Sequence, residues 1–174
     1  MDAHHDQVAR RRAELAGAPA RRYFGYSTIL DRQAFDEWRT QHGYDDFTLP
    51  AGRLAEAIDV DVVFDFPSRF WGGRVAGLVD RPGASVYGVV YEIAGDEWPI
   101  LEHKEGAVTG MSIERPVRLR IGDEELAATA FTTRPDRASS DGPPSARFLE
   151  ALVRGARAAG LPADYIARLA ATAR

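Results

Sequence analysis

The sequence predicts an α+β fold, a small mixed β-barrel with flanking short helices. Three observations point to the α+β class and a mixed or barrel-like sheet. Strand-like segments crowd the middle of the chain, one short helix divides them into two groups, and two helices close the chain. The regular strand–helix alternation of a doubly wound sheet is absent.

Residues 1–20 are polar and Ala-rich and read as an N-terminal extension to a single domain over 21–174. A short helix over 7–15 is expected, stopped at Gly17-Ala18-Pro19. The aromatic run RRYFGYS (21–27) predicts the first strand. Asp31 is placed to cap a helix, with Ala34, Phe35 and Trp38 at helical spacing through His42. After a turn-rich stretch, 54–66 ends in alternation, with Val60, Val62 and Phe64 opposite Asp59, Asp61 and Asp65. Two more strands are expected over 74–79 and 85–93, separated by a turn at Arg81-Pro82-Gly83. Residues 94–104 predict a short helix with Trp98 and Leu101 inward, closed by Gly106. Strands over 112–121 and 124–132 flank Gly122-Asp123 and predict a hairpin. A loop over 134–144 leads to an amphipathic helix over 145–159, which Gly160-Leu161-Pro162 ends, and a last helix over 163–171 follows.

Composition narrows the chemistry. The chain of 174 residues has 45% hydrophobic and 28% charged residues, the balance of an ordinary globular protein. With no cysteine, disulfides, thiolate nucleophiles and thiolate metal sites are excluded. Lys104 is the single lysine, which leaves little room for Schiff-base chemistry or a phosphate-loop lysine, and asparagine is absent. A net charge of −4 argues against nucleic acid as a partner, and the Arg10-Arg11-Arg12 and Arg21-Arg22 stretch reads as solvated. No apolar run approaches the ~20 residues of a membrane span, and the N-terminus lacks a signal-peptide core, so a cytoplasmic protein is expected.

Most candidate motifs have ordinary explanations. His4 and His5 are adjacent residues near a terminus and make a poor preorganised metal site. Asp59, Asp61 and Asp65 read as the wet face of a half-buried strand rather than a cation site. WGGRVAG (71–77) lacks dinucleotide-loop spacing, and no G-x-S-x-G elbow occurs. His103 is expected as an exposed helix residue. Glu105, in LEHKEG at a predicted helix end, is oddly placed. An anion there faces the helix's partial negative charge, a cost of roughly 0.3–1 kcal/mol. By position alone it reads as an exposed terminal glutamate rather than as a general base.

The order of four segments adds to this. YFGYSTIL (23–30), SVYGVVYEI (85–93), LEHKEG (101–106) with GMS (110–112), and GLPADYIARL (160–169) together resemble the gamma-glutamylcyclotransferase-like family, over residues 21–172. The resemblance implies a small mixed β-barrel, no cofactor and no metal. It also implies cleavage of a gamma-glutamyl amide without water, as in a lyase or acyltransferase. The substrate's α-amine closes on its γ-carbonyl, releasing 5-oxoproline and an amine or amino acid. It assigns the general acid/base to Glu105, and the substrate-binding loop to Tyr26, Ser27, Thr28, Ile29 and Leu30. It also places Ser112 among the substrate-binding residues, at the position where a tyrosine often follows the family's glycine–methionine pair. Tyr26 and Leu30 keep the loop pattern, whereas Ser27, Thr28 and Ile29 replace glycine, serine and asparagine. Three consequences are open: a different gamma-glutamyl substrate, a loop that works through its backbone amides, or a catalytically silent small-molecule binding module that recognises a carboxylate or amine.

Overall fold

The computed structural model describes residues 3–172. Helix α1 (Ala3–Glu14) precedes β1 (Arg21–Gly25), a 3-10 turn (Thr28–Leu30) and α2 (Arg32–Gln41). Two long strands follow, β2 (Arg53–Ser68) and β3 (Gly73–Ile93). Then come α3 (Trp98–Lys104), β4 (Ser112–Ile121), β5 (Glu124–Thr133), α4 (Ala146–Ala159) and α5 (Ala163–Ala171). The strands form a closed barrel in the order β1-β3-β2-β4-β5, so the expected mixed barrel with flanking helices is the observed fold. Every neighbouring pair is antiparallel except β1–β5, which meet in parallel at Tyr23 and Thr129.

Local chemistry explains the elements that match expectation. Gly122 at φ +58 supplies the left-handed residue of the β4–β5 turn. Ser145 caps α4 by accepting from the Phe148 N–H, and Gly160 at φ +76 closes that helix. Phe148, Leu149, Leu152 and Ala156 on α4 turn inward, as their spacing requires. Trp98 and Leu101 on α3 are fully buried. That helix begins four residues later than expected, with Pro99 in its first turn where a missing N–H costs nothing.

Three expectations need correction. Arg81-Pro82-Gly83 is not a turn between two strands but a bulge within β3. Pairing with β2 jumps from Ile58–Ser85 to Val60–Asp80. Asp59 takes up the bend at φ +59, and its Oδ1 accepts the Gly83 N–H at 2.9 Å. The irregularity changes which side chains of β2 face inward, from Ala55 and Ala57 before it to Val60 and Phe64 after it. The real β2–β3 turn is at 69–72, within the segment that carries WGG. Second, Asp31 stands at the start of α2, but its carboxylate accepts from Arg154 on α4 at 2.5 Å instead of capping the helix. Third, His103 is half-buried, with its Nδ1 2.8 Å from the Tyr44 hydroxyl. His4 and His5 on α1 pack beside it, against His103 and Tyr44.

Val8 on α1 is buried, and Arg11 and Arg12 reach Glu102 and Asp46. Asp59 pairs with Arg118, Asp61 with Arg81, and Asp65 accepts from Thr133, so the three aspartates have separate partners. Among the described residues, no helix is long and apolar enough to cross a membrane. Nor does any group of three or more His, Asp or Glu there suit a metal ion.

Candidate functional site

The end of α3 is held from both sides. Glu105 is the residue after its last turn, and the Glu105 N–H donates to Leu101 O at 2.8 Å. Gly106 follows at φ +84, a conformation that favours glycine, and turns the chain. The segment to β4 folds back on this turn: Met111 and Ser112 N–H groups both donate to Gly106 O, and the Ser112 hydroxyl donates to Glu105 O at 2.6 Å. At the other end, Trp98 Nε1–H donates to Glu114 on β4 at 2.7 Å, and the Arg21 guanidinium lies 3.7 Å from the centroid of the Trp98 ring. The short helix is thus pinned to β1 and β4, which fixes where its final carboxylate points.

That carboxylate is largely buried, its side chain 14% exposed, and its Oε1 accepts a 2.8 Å hydrogen bond from the Tyr23 hydroxyl. Lys104 Nζ lies 3.9 Å from the same oxygen. Burial pushes the Tyr23 phenol well above the ordinary tyrosine range, and the charge and hydrogen bond of Glu105 push it the same way. Tyr23 therefore stays protonated and serves as a fixed donor. Tyr26 is buried as well and raised for the same first reason, with further contributions from Glu105 and Asp65; its hydroxyl donates to Phe131 O at 2.6 Å.

Glu105 opens onto a cavity of about 460 Å³, whose wall includes Tyr26, Ser27, Thr28 and Ser112. The structure thus brings these five proposed residues to one space. Ile29 and Leu30 pack in the core instead, at 2% and 7% exposure. Ile29 occupies the room over Gly25, where a Cβ would stand 2.6 Å from its Cγ2. The 3-10 turn bonds Leu30 N–H to Ser27 O and Asp31 N–H to Thr28 O. The earlier N–H groups of Thr28 and Ile29 lie ahead of these bonds and are not used by the turn itself.

Tyr23 is the residue that sequence reading missed. Its one signal was its place on the first strand, two residues before Gly25 and so on the same face; nothing local linked it to a glutamate far along the chain. Lys104, the single lysine, directly precedes Glu105, and its side chain is only 10% exposed.

Comparisons with known proteins agree with this architecture. Residues 85–169 match the model of the AIG2-like family. The chain is 31% identical over 106 residues to the Homo sapiens gamma-glutamylcyclotransferase, covering 60% of this chain and 54% of that protein. It is 25% identical over 124 residues to the Bos taurus gamma-glutamylcyclotransferase, covering 71% and 58%. The matched part thus spans little more than half the length of these curated relatives. Among solved structures, an uncharacterized Homo sapiens protein superimposes with a TM-score of 0.72 at 23% identity, over 87% of this chain and 86% of its own. One named gamma-glutamyl cyclotransferase gives 0.71 at 22% identity, over 86% of each chain. These two likenesses show a shared fold. Residues 85–169, just under half of the chain, thus resemble the AIG2-like family, on a fold shared with these two structures.

Proposed function

We propose that the protein is a gamma-glutamylcyclotransferase-like enzyme that releases 5-oxoproline from a gamma-glutamyl amide, with Glu105 as general acid/base. The observation that carries this reading is the Glu105 carboxylate, held on the cavity wall by a neutral tyrosine hydroxyl. The names of the curated relatives support the same class of activity.

The reaction needs little from the protein. The nucleophile is the substrate's own α-amine, tethered to the carbonyl it attacks, so no cysteine, serine or lysine nucleophile is required. Glu105 takes a proton from the α-ammonium. The freed amine attacks the γ-carbonyl carbon, a five-membered ring forms, and the carboxyl returns a proton to the nitrogen of the breaking C–N bond; the ring nitrogen's second proton follows through the same carboxylate to the released amine. Tyr23 holds the carboxylate in position through both transfers. Backbone N–H groups of the 27–29 segment suit the substrate carboxylate or the tetrahedral oxyanion. That role survives the side-chain departures at Ser27, Thr28 and Ile29, because every non-proline residue keeps its N–H. Ile29 does not block the substrate space, since its side chain is packed in the core.

Incubation with a panel of gamma-glutamyl amino acids and amines tests the proposal, with 5-oxoproline as the readout. At least one substrate is expected to turn over, and Glu105→Gln to lower the rate by about 10²–10⁴-fold, the usual worth of a general acid/base. No product from any substrate, with Glu105→Gln indistinguishable from the natural protein, overturns it. Ligand-induced thermal stabilisation without turnover would instead identify a binding module.

A further inference from the structure

The cavity is larger than a glutamyl unit needs. Even at a water's share of about 30 Å³ per heavy atom, a nine-atom glutamyl group takes about 270 Å³ of the roughly 460 Å³ available. The remainder has its own chemistry. From Phe66, whose ring comes within 3.4 Å of where a Cβ on Gly106 would stand, the lining continues along β2 to its turn at Phe70 and Trp71. Phe70, Trp71 and Phe148 form a chain of edge-to-face rings, with centroids 5.2 and 5.5 Å apart. The turn is fastened to the start of α4. Ser145 Oγ donates to Trp71 O at 2.6 Å, and the Arg74 and Ser145 backbones bond across the junction. Phe70 is nevertheless 61% exposed, a large apolar side chain presented at the rim of a cavity.

The charged groups of this wall are mixed in sign, with Lys104 among the cations. The Arg147 guanidinium lies over Trp71 and Phe70, 5.6 and 5.9 Å from the ring centroids, and donates to Phe70 O. Arg154 is committed to Asp31. Glu37 and Glu150 add two carboxylates to the lining. We propose that Phe66, Phe70, Trp71 and Phe148 form the subsite for the leaving group, and that it selects a leaving amine with a bulky apolar substituent. The inference rests on the gamma-glutamyl reading above and names the substrate class of that site.

The test compares γ-glutamyl-phenethylamide with γ-glutamylmethylamide, using the natural protein and Phe70→Ala. Phe70 is exposed, so its truncation leaves the core intact, which an unchanged Tm verifies. The phenethylamide is expected to show a kcat/KM about tenfold or more above the methylamide. Phe70→Ala is expected to bring this ratio toward one. Equal values for the two, a preference for the methylamide, or a preference untouched by Phe70→Ala overturns the inference. If neither yields 5-oxoproline, the catalytic reading fails separately, and calorimetric binding of the same compounds decides. Tighter binding of the phenethylamide that Phe70→Ala abolishes upholds the subsite; equal or undetectable binding overturns it.

Discussion

The Tyr23 hydroxyl donates a 2.8 Å hydrogen bond to Glu105 Oε1, joining the first strand of the barrel to the end of its central helix across 82 residues of sequence. The acid/base role proposed for Glu105 needs a carboxylate of fixed orientation, and a buried phenol that stays neutral provides it without competing for the proton.

Replacing Tyr23 by phenylalanine keeps the ring packing against Tyr91, Trp98 and Phe131 and removes only this donor. A hydrogen bond to a charged group has a net worth of about 1.5–3 kcal/mol. If it acts through positioning Glu105, kcat for 5-oxoproline release falls by about 10–150-fold while KM changes little. Steady-state kinetics of Tyr23→Phe check this. A KM effect with kcat intact would mean that Tyr23 contacts substrate instead.

Gly155→Ala gives a stability test in which two local rules disagree. Helix propensity favours the alanine in α4 by about 1 kcal/mol. Packing opposes it more strongly, because a Cβ at Gly155 would stand 2.5 Å from Asp31 N and 2.6 Å from Leu30 C, both backbone atoms. The close approach seats the 3-10 turn against α4, so the turn or the helix must shift. A net loss of about 1–3 kcal/mol is expected, and thermal unfolding should read it as a Tm lower by several degrees. A raised Tm would show that the turn yields without cost.

Alkaline pH should weaken the fold through its tyrosines. Tyr23, Tyr26 and Tyr165 are buried and held above the ordinary phenol range by desolvation first, and Tyr91 is raised for the same leading reason. A group with a raised native pKa binds its proton more tightly when folded. The stability this confers is full below the unfolded tyrosine value of about 10 and declines as pH rises through the interval up to the native value. Denaturant midpoints should therefore fall from about pH 10 upward. Tyrosinate absorbance from these residues should appear together with unfolding, and its appearance in the native protein at lower pH would contradict the prediction.

Elements whose signals are local were legible in the sequence. The β4–β5 hairpin follows from Gly122-Asp123, and α4 from Ser145, its apolar stripe and Gly160. The Arg81-Pro82-Gly83 bulge misleads because its residues suit a turn equally well. Only pairing with β2, where Asp59 accepts the bend, distinguishes the two. His103 misleads likewise, since its buried contacts come from α1, α2 and the Tyr44 segment rather than from its own helix.

By itself the sequence determined the α+β class, the order of most elements, and the odd placement of one carboxylate at a helix end. Its likeness to a known family named the chemistry to consider. Tertiary structure decided that Tyr26, Ser27, Thr28, Glu105 and Ser112 line one cavity, that Ile29 belongs to the core, and that Tyr23 grips Glu105. The physical reason is one of range. Turns, caps and periodicity act between residues a few positions apart, whereas barrel closure sets the first strand beside the helix that follows the third. No local pattern encodes that juxtaposition.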